Sequence, residues 1–284
     1  MFPIICEIPL PFELFGHDHL PVRSFGLMVV FGLMVGNHFA TKYCRKVGIA
    51  DEVMANLLLV FIVSLMLGAR ALYVVVNWHQ FSDDPMSMFA IQKGGMVYYG
   101  SFIGILIGLF AFVKITKTPA RNLMDITAIG AAIGMAVGRV GCLLVGDDYG
   151  RVCDESFPLA IKFPTHSEPG SLFGLVISPD NGNLAGFMQG KWLHPTQIYM
   201  SLNALALFFL LRWVWSKRQF PGQVAAVFFL YYAVSRSVIE HYRGDDLRGF
   251  VGTLSTSQFI SIFVFIAGLG LYAVLRRRGR LEAQ

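Results

Sequence analysis

Charge is what this chain has least of. Asp, Glu, Lys and Arg make up 14% of its 284 residues, while 55% are hydrophobic and the mean hydropathy is +0.58. A soluble domain carries about 25% charged residues, so an ordinary soluble protein is excluded. Several windows of about twenty apolar residues make it a polytopic membrane protein instead. Cysteine is sparse too. Cys6, Cys44, Cys142 and Cys153 fit no zinc or CxxC spacing, which removes those metal and redox classes. Whether Cys142 and Cys153 pair is left open. GxSxG, HExxH and a phosphate-binding glycine loop are all missing. Any chemistry must then come from Arg, Tyr, Asp and Glu, with no metal and no cofactor expected. The N-terminal segment MFPIICEIPLPFELFGHDHLP opens without a basic region and carries acids and prolines, so it is not read as a cleavable signal peptide.

Seven apolar spans are predicted near 23–41, 53–77, 97–115, 122–145, 196–215, 222–241 and 256–275. The pI near 9.1 reflects basic residues in short connections, so no nucleic-acid partner is expected. Lys42, Arg45 and Lys46 follow the first span, and Lys114, Lys117 and Arg121 lie between the third and fourth. Arg212, Lys217 and Arg218 follow the fifth, and Arg276, Arg277, Arg278 and Arg280 the seventh. The positive-inside rule then puts the N-terminus outside and the C-terminus in the cytoplasm. The expected fold is an all-α integral membrane protein, a seven-transmembrane-helix bundle forming one domain over 1–284. A small extracytoplasmic cap is expected at 146–194, between spans four and five, where LAIKF and LFGLVIS read as short strands.

Gly100, Gly104 and Gly108 recur every fourth residue in the third span, and Gly130, Gly134 and Gly138 in the fourth. This small-xxx-small spacing lets helix backbones approach closely in lipid.

Three arginines lie inside apolar stretches: Arg70, Arg139 and Arg236. A guanidinium stays charged in proteins, so each must find water, an acid or a ligand. At 1.5 Å per helical residue each lies roughly 20–25 Å from the inner face. Convergence of three cations at one depth predicts a cage for a phospholipid phosphate. Tyr232, Arg236, Glu240 and Arg243 share one face of the sixth span, where Glu240 can pair with either arginine. A buried structural ion ladder would give the same pattern. Tyr98 and Tyr99 open the third span beside Lys93-Gly94-Gly95-Met96, where tyrosine also serves as an interfacial anchor. His194 precedes Pro195 at the start of the fifth span, as a helix-start hydrogen bonder or as a base.

Four segments taken in order, GGMVYYGSFIG (94–104), GRVGCLLVGDDYGR (138–151), HPTQIY (194–199) and YAVSRSVIEHYR (232–243), resemble the prolipoprotein diacylglyceryl transferases of the bacterial inner membrane. The resemblance covers nearly the whole chain. It implies an enzyme that moves the diacylglyceryl group of phosphatidylglycerol, or a similar anionic phospholipid, to the lipobox cysteine of a preprolipoprotein. It implies a multi-pass protein whose site faces the outer leaflet and receives the signal peptide. By position, Arg139 and Arg236 match the headgroup-binding arginines. Tyr232, Glu240 and Arg243 match the polar stripe, and Asp125 matches an acid of the fourth span.

Four positions depart from that family. Its motif histidine is here Tyr99, its signature asparagines are Cys142 and Val145, its signature glutamate is Asp147, and a first-span tyrosine is Phe25. The expected catalytic set is Tyr99, Arg139, Arg236 and Asp147. The expected substrate-binding set is Arg70, Tyr232, Glu240, Arg243, His194 and Cys142. Asp147 or Asp148 is the expected proton acceptor. A related enzyme with another acceptor, and a non-catalytic binder of anionic lipid, are the alternatives.

Overall fold

The computed structural model describes residues 4–14, 17–81, 85–89, 97–165, 170–172, 175–177, 189–244 and 249–281. Among the described residues seven long helices are present: α1 Ser24–Lys46, α2 Asp51–Val76, α3 Tyr98–Thr116, α4 Ala120–Val145, α5 Thr196–Lys217, α6 Gln223–Glu240 and α7 Thr256–Leu281. Their bounds follow the predicted spans to within two residues, except that α1 and α7 run five and six residues further at their C-terminal ends. Among the described residues, five helices (α1, α2, α4, α5 and α7) are individually long and apolar enough to cross a membrane. Large apolar side chains point outward, with Ile115 81% exposed and Val75 69%. A soluble surface does not tolerate that much apolar area, whereas lipid does. The protein is an all-α integral membrane protein.

The chain forms two compact units, residues 40–123 and residues 1–39 with 124–284. In the first, α2 packs on α3 through small residues. A Cβ at Gly100 would lie 2.2 Å from the Gly68 carbonyl oxygen, and one at Gly104 would lie 2.1 Å from that of Ser64. Arg70 is buried here. Its Nε donates to the Met88 carbonyl at 2.8 Å and its Nη2 to that of Ser87 at 2.9 Å. Both carbonyls belong to a short 3-10 turn, Pro85–Phe89, so this guanidinium ties the α2–α3 connection to α2. The Lys93–Met96 turn lies outside the described residues.

In the second unit α4 approaches α1 the same way. A Cβ at Gly32 would lie 2.7 Å from the Gly134 carbonyl oxygen, and one at Gly36 would lie 2.6 Å from that of Gly130. A Cβ at Gly138 would meet no other part of the chain within 4 Å, so the glycine contact stops one turn short of Arg139. α6 packs on α5 and α7. Its start is fixed by Asp125, whose carboxylate accepts the N–H groups of Gly222 and Ala225, both at 2.8 Å, and pairs with Arg218 at 3.3 Å. These N–H groups are orphans at any helix start; here a neighbouring helix supplies the acceptor.

Strands occupy the connections. β1 (Ile4–Leu14) and β2 (His17–Arg23) form an antiparallel hairpin before α1. Between α4 and α5 lie β3 (Ile161–Lys162), β4 (Gly170–Leu172), β5 (Leu175–Ile177) and β6 (Trp192–Leu193), in the sheet order β5-β4-β3-β6. The run LAIKF holds β3, and LFGLVIS holds β5 and the last residue of β4. Tyr149, Ile161, Phe163 and Leu193 bury one another beneath this sheet, with Leu143 of α4 against them. Each such side chain contributes on the order of 1.5–3 kcal/mol. β7 (Phe250–Val251) and β8 (Leu254–Ser255) pair ahead of α7.

Candidate active site

The segment after α4 is stitched to two other parts of the second unit. Gly150 pairs with Arg243 backbone to backbone, Arg151 N–H donates to the Tyr242 carbonyl at 2.8 Å, and Gly244 N–H donates to that of Tyr149 at 3.1 Å. On the α5 side, His194 N–H donates to the Arg151 carbonyl at 3.0 Å. Thr196 Oγ1 donates to the Asp148 carbonyl at 2.6 Å, and Gln197 Nε2 to that of Asp147 at 2.7 Å. Thr196 and Gln197 are fully buried. These bonds bring the last turns of α4 and α6 and the first turn of α5 to one place.

Asp148 lies at the centre. Its carboxylate accepts hydrogen bonds from Arg139 Nη1 of α4 and from Arg243 Nη2, just past α6. Burial opposes ionisation of Asp148, but the guanidinium groups of Arg139, Arg243 and Arg236 outweigh it and hold its carboxyl below the usual carboxylate range. Arg236 pairs with Glu240 at 3.1 Å, donates to Ser257 Oγ at 3.0 Å and lies against Met200 Sδ at 3.9 Å. Tyr232 is within electrostatic reach of both Arg139 and Arg236. The Cys142 thiol donates to Asp148 at 3.6 Å and receives Arg139 Nη1 at 3.8 Å. Cys142 and Cys153 are both free thiols.

The sequence-predicted residues therefore divide. Arg139, Arg236, Arg243, Glu240, Tyr232 and Cys142 come together. Asp147 is exposed and accepts the Asp148 N–H at 2.8 Å, so the acid between the arginines is its neighbour. His194 shares its Nδ1 with the Tyr199 hydroxyl at 3.2 Å and sits among the rings of Phe157, Tyr199 and Tyr242. Burial lowers its imidazole pKa. Arg70 lies in the other compact unit, on the Ser87 and Met88 carbonyls. Tyr99 is in the first turn of α3, and its side chain lies outside the described part. Thr196 and Gln197 lie outside the predicted catalytic and substrate-binding sets, although both fall in the HPTQIY segment. Their signal was their place after His194-Pro195, where polar side chains face no obvious partner in sequence.

Asp148 adopts φ +55° and Gly146 φ +78°. A non-glycine residue there costs on the order of 1 kcal/mol and clusters at functional sites. Arginines gathered from two helices, with one strained acid among them, make a fixed cationic site suited to a phosphate.

The family pattern described as prolipoprotein diacylglyceryl transferase matches residues 12–274. The chain belongs to the prolipoprotein diacylglyceryl transferase family. Among relatives in this family, phosphatidylglycerol–prolipoprotein diacylglyceryl transferase 2 of Clostridium perfringens is 32% identical over 270 residues, covering 95% of this chain and 96% of that protein. The enzyme of Clostridium tetani is also 32% identical, covering 95% and 98%. That of Pseudoalteromonas translucida is 31% identical over 278 residues, covering 95% and 92%.

Proposed function

We propose that this protein transfers the diacylglyceryl group of phosphatidylglycerol to the lipobox cysteine thiol of a preprolipoprotein. The observation that carries the reading is the gathering of Arg139, Arg236 and Arg243 around one carboxylate, in a chain that belongs to this family over 12–274. The acceptor thiol attacks the glyceryl carbon that bears the phosphate, and glycerol phosphate leaves. The leaving group gains a negative charge as the carbon–oxygen bond breaks. Fixed guanidinium groups stabilise that charge without reorganisation.

In this reading Arg139 and Arg236 hold the phosphate. Glu240 orients Arg236, and Tyr232 and Arg243 complete the polar wall. Cys142 and His194 border the headgroup. Tyr99 hydrogen-bonds the leaving phosphate, because a tyrosine of pKa about 10 is a poor base. Asp147 shapes the loop that carries its neighbour. All seven long helices span the membrane, with the N-terminus outside and the C-terminus in the cytoplasm, as the alternation of basic connections supports. The strands between α4 and α5 form an extracytoplasmic cap over a site that opens toward the outer leaflet of the bacterial inner membrane. The lipid and the signal-peptide helix enter sideways.

The test is direct. Purified protein is incubated with phosphatidylglycerol vesicles and a lipobox peptide, and the peptide is weighed for the diacylglyceryl increment. A peptide of unchanged mass with the lipid consumed would sink the assigned acceptor, and unchanged lipid would sink transfer altogether. Tyr99→Phe lowers the rate in the same assay, and full activity in that variant removes Tyr99 from the chemistry.

A further inference from the structure

Two of the three guanidinium groups lining the proposed phosphate site, one of them assigned to the phosphate and one to its polar wall, are already engaged. Arg139 and Arg243 both donate to the Asp148 carboxylate, so an incoming phosphate meets a site filled by an internal anion. The Asp148 backbone is fixed from both sides: Thr196 holds its carbonyl at 2.6 Å and the Asp147 carboxylate holds its N–H at 2.8 Å. The side chain is then the part free to yield, by rotation about its own bonds. A thiol already stands beside it, since Cys142 Sγ lies 3.6 Å from Oδ2. A sulfur can therefore donate to this carboxylate from within the site.

From these contacts, and resting on the transferase reading above, we infer that Asp148 is a built-in counter-ion that the lipid phosphate displaces from Arg139 and Arg243, and that the displaced carboxylate then takes the proton of the acceptor thiol. While two guanidinium groups hold it, the carboxylate is a poor base. Once phosphate takes those partners, a carboxylate left in a buried site beside another anion gains proton affinity. The base is thus activated by the binding of its own substrate.

The atoms and charges balance. The acceptor S–H bond breaks and its proton goes to an Asp148 oxygen. The sulfur forms a bond to the glyceryl carbon, and the carbon–oxygen bond electrons leave with glycerol phosphate. The phosphate passes from monoanion to dianion while Asp148 passes from anion to neutral acid. The total charge facing the guanidinium groups is unchanged through the step. Among the described residues, the charged and titratable groups that face Asp148 are Arg139 and Cys142 from α4, Asp147 from its own loop, and Arg236 and Arg243 from α6 and its end, with Tyr232 and Glu240 next to these arginines.

The experiment is steady-state transfer from phosphatidylglycerol vesicles to a lipobox peptide, with Asp148→Asn beside the wild type. Loss of the internal anion lowers KM for the lipid by about threefold or more, and loss of the base lowers kcat by about 10²-fold or more. The residual rate of the variant climbs more steeply with pH than the wild-type rate, toward the thiol pKa of about 8.5, because hydroxide must replace the carboxylate. A raised KM overturns displacement, and a kcat within about twofold of wild type overturns the proton role. If Asp148→Asn does not fold, Asp148→Glu carries the test: it keeps a carboxylate and retains kcat to within about tenfold, and a rate below about one hundredth of wild type overturns the inference. An inactive wild type would instead overturn the transferase reading itself.

Discussion

Gly150 and Arg243 face one another across a backbone bridge, and that bridge ties the segment after α4, which follows Arg139, to the segment just past α6 that carries Arg243. A Cβ at Gly150 would lie 2.2 Å from the His194 carbonyl oxygen, and one at Gly244 would lie 2.5 Å from that of Gly150. Three segments of chain touch here at backbone contact, which only glycine permits.

Gly150→Ala is therefore expected to destabilise the protein by about 2–3 kcal/mol and to abolish transfer. Gly138→Ala is the control, because nothing lies within 4 Å of its added Cβ; it leaves stability unchanged or raises it by about 0.5–1 kcal/mol. Thermal unfolding in detergent checks both. Equal Tm values for the two variants would contradict the tight contact at Gly150.

Arg236→Ala removes a guanidinium held by Glu240 and Ser257. Transfer is expected to fall about 10²–10³-fold in kcat. Arg236→Lys recovers only part of this, since an ammonium lacks the planar fork. Wild-type turnover in the alanine variant would remove Arg236 from the headgroup site.

Asp125→Ala leaves two buried helix-start N–H groups without their acceptor and Arg218 without its partner. The cost is expected at about 3–5 kcal/mol, seen as a lowered Tm with KM for lipid unchanged in the folded fraction. A changed KM at unchanged Tm would show that Asp125 acts on the substrate rather than on α6.

His194 is held neutral by burial, with its pKa below the usual value. A depressed pKa means that protonation favours the unfolded chain. The stability tied to this residue is present above about pH 6.5 and is lost as pH falls through the lowered folded value. Tm measured from pH 7.5 down to 5.5 is expected to fall more in wild type than in His194→Gln. Identical slopes would exclude His194 as the source.

The helices were legible because lipid enforces their signal. Lipid demands apolar side chains around a helix whose backbone groups are all satisfied internally, so five of the helices carry long apolar windows, and α5 begins at the predicted Thr196. The short strands at LAIKF and LFGLVIS could be read from their branched and aromatic residues. The β1–β2 hairpin could not: Ile8, Leu10, Phe12 and Leu14 alternate, but Pro9 and Pro11 between them argue against a strand. The gathering of arginines followed from depth arithmetic for Arg139 and Arg236. Which acid stands between them did not. Asp147 and Asp148 are adjacent, and the choice is made by the left-handed backbone at Asp148 and by the Thr196 and Gln197 bonds. Arg70 looked equivalent to the other two arginines in sequence, yet its donors go to main-chain carbonyls that no side-chain pattern announces.

The depth of the ion pairs also bears on how the protein responds to ionic strength. Arg45 and Asp51 pair at an exposed corner with side chains 67% and 42% accessible, whereas Arg236 and Glu240 are 13% and 2% accessible. Dissolved ions weaken interactions in water far more than those in the interior. Concentrated salt will loosen the outer pair first and leave the inner guanidinium–carboxylate contacts in place, so the protein can be stripped of adhering peripheral material in brine without dismantling its centre.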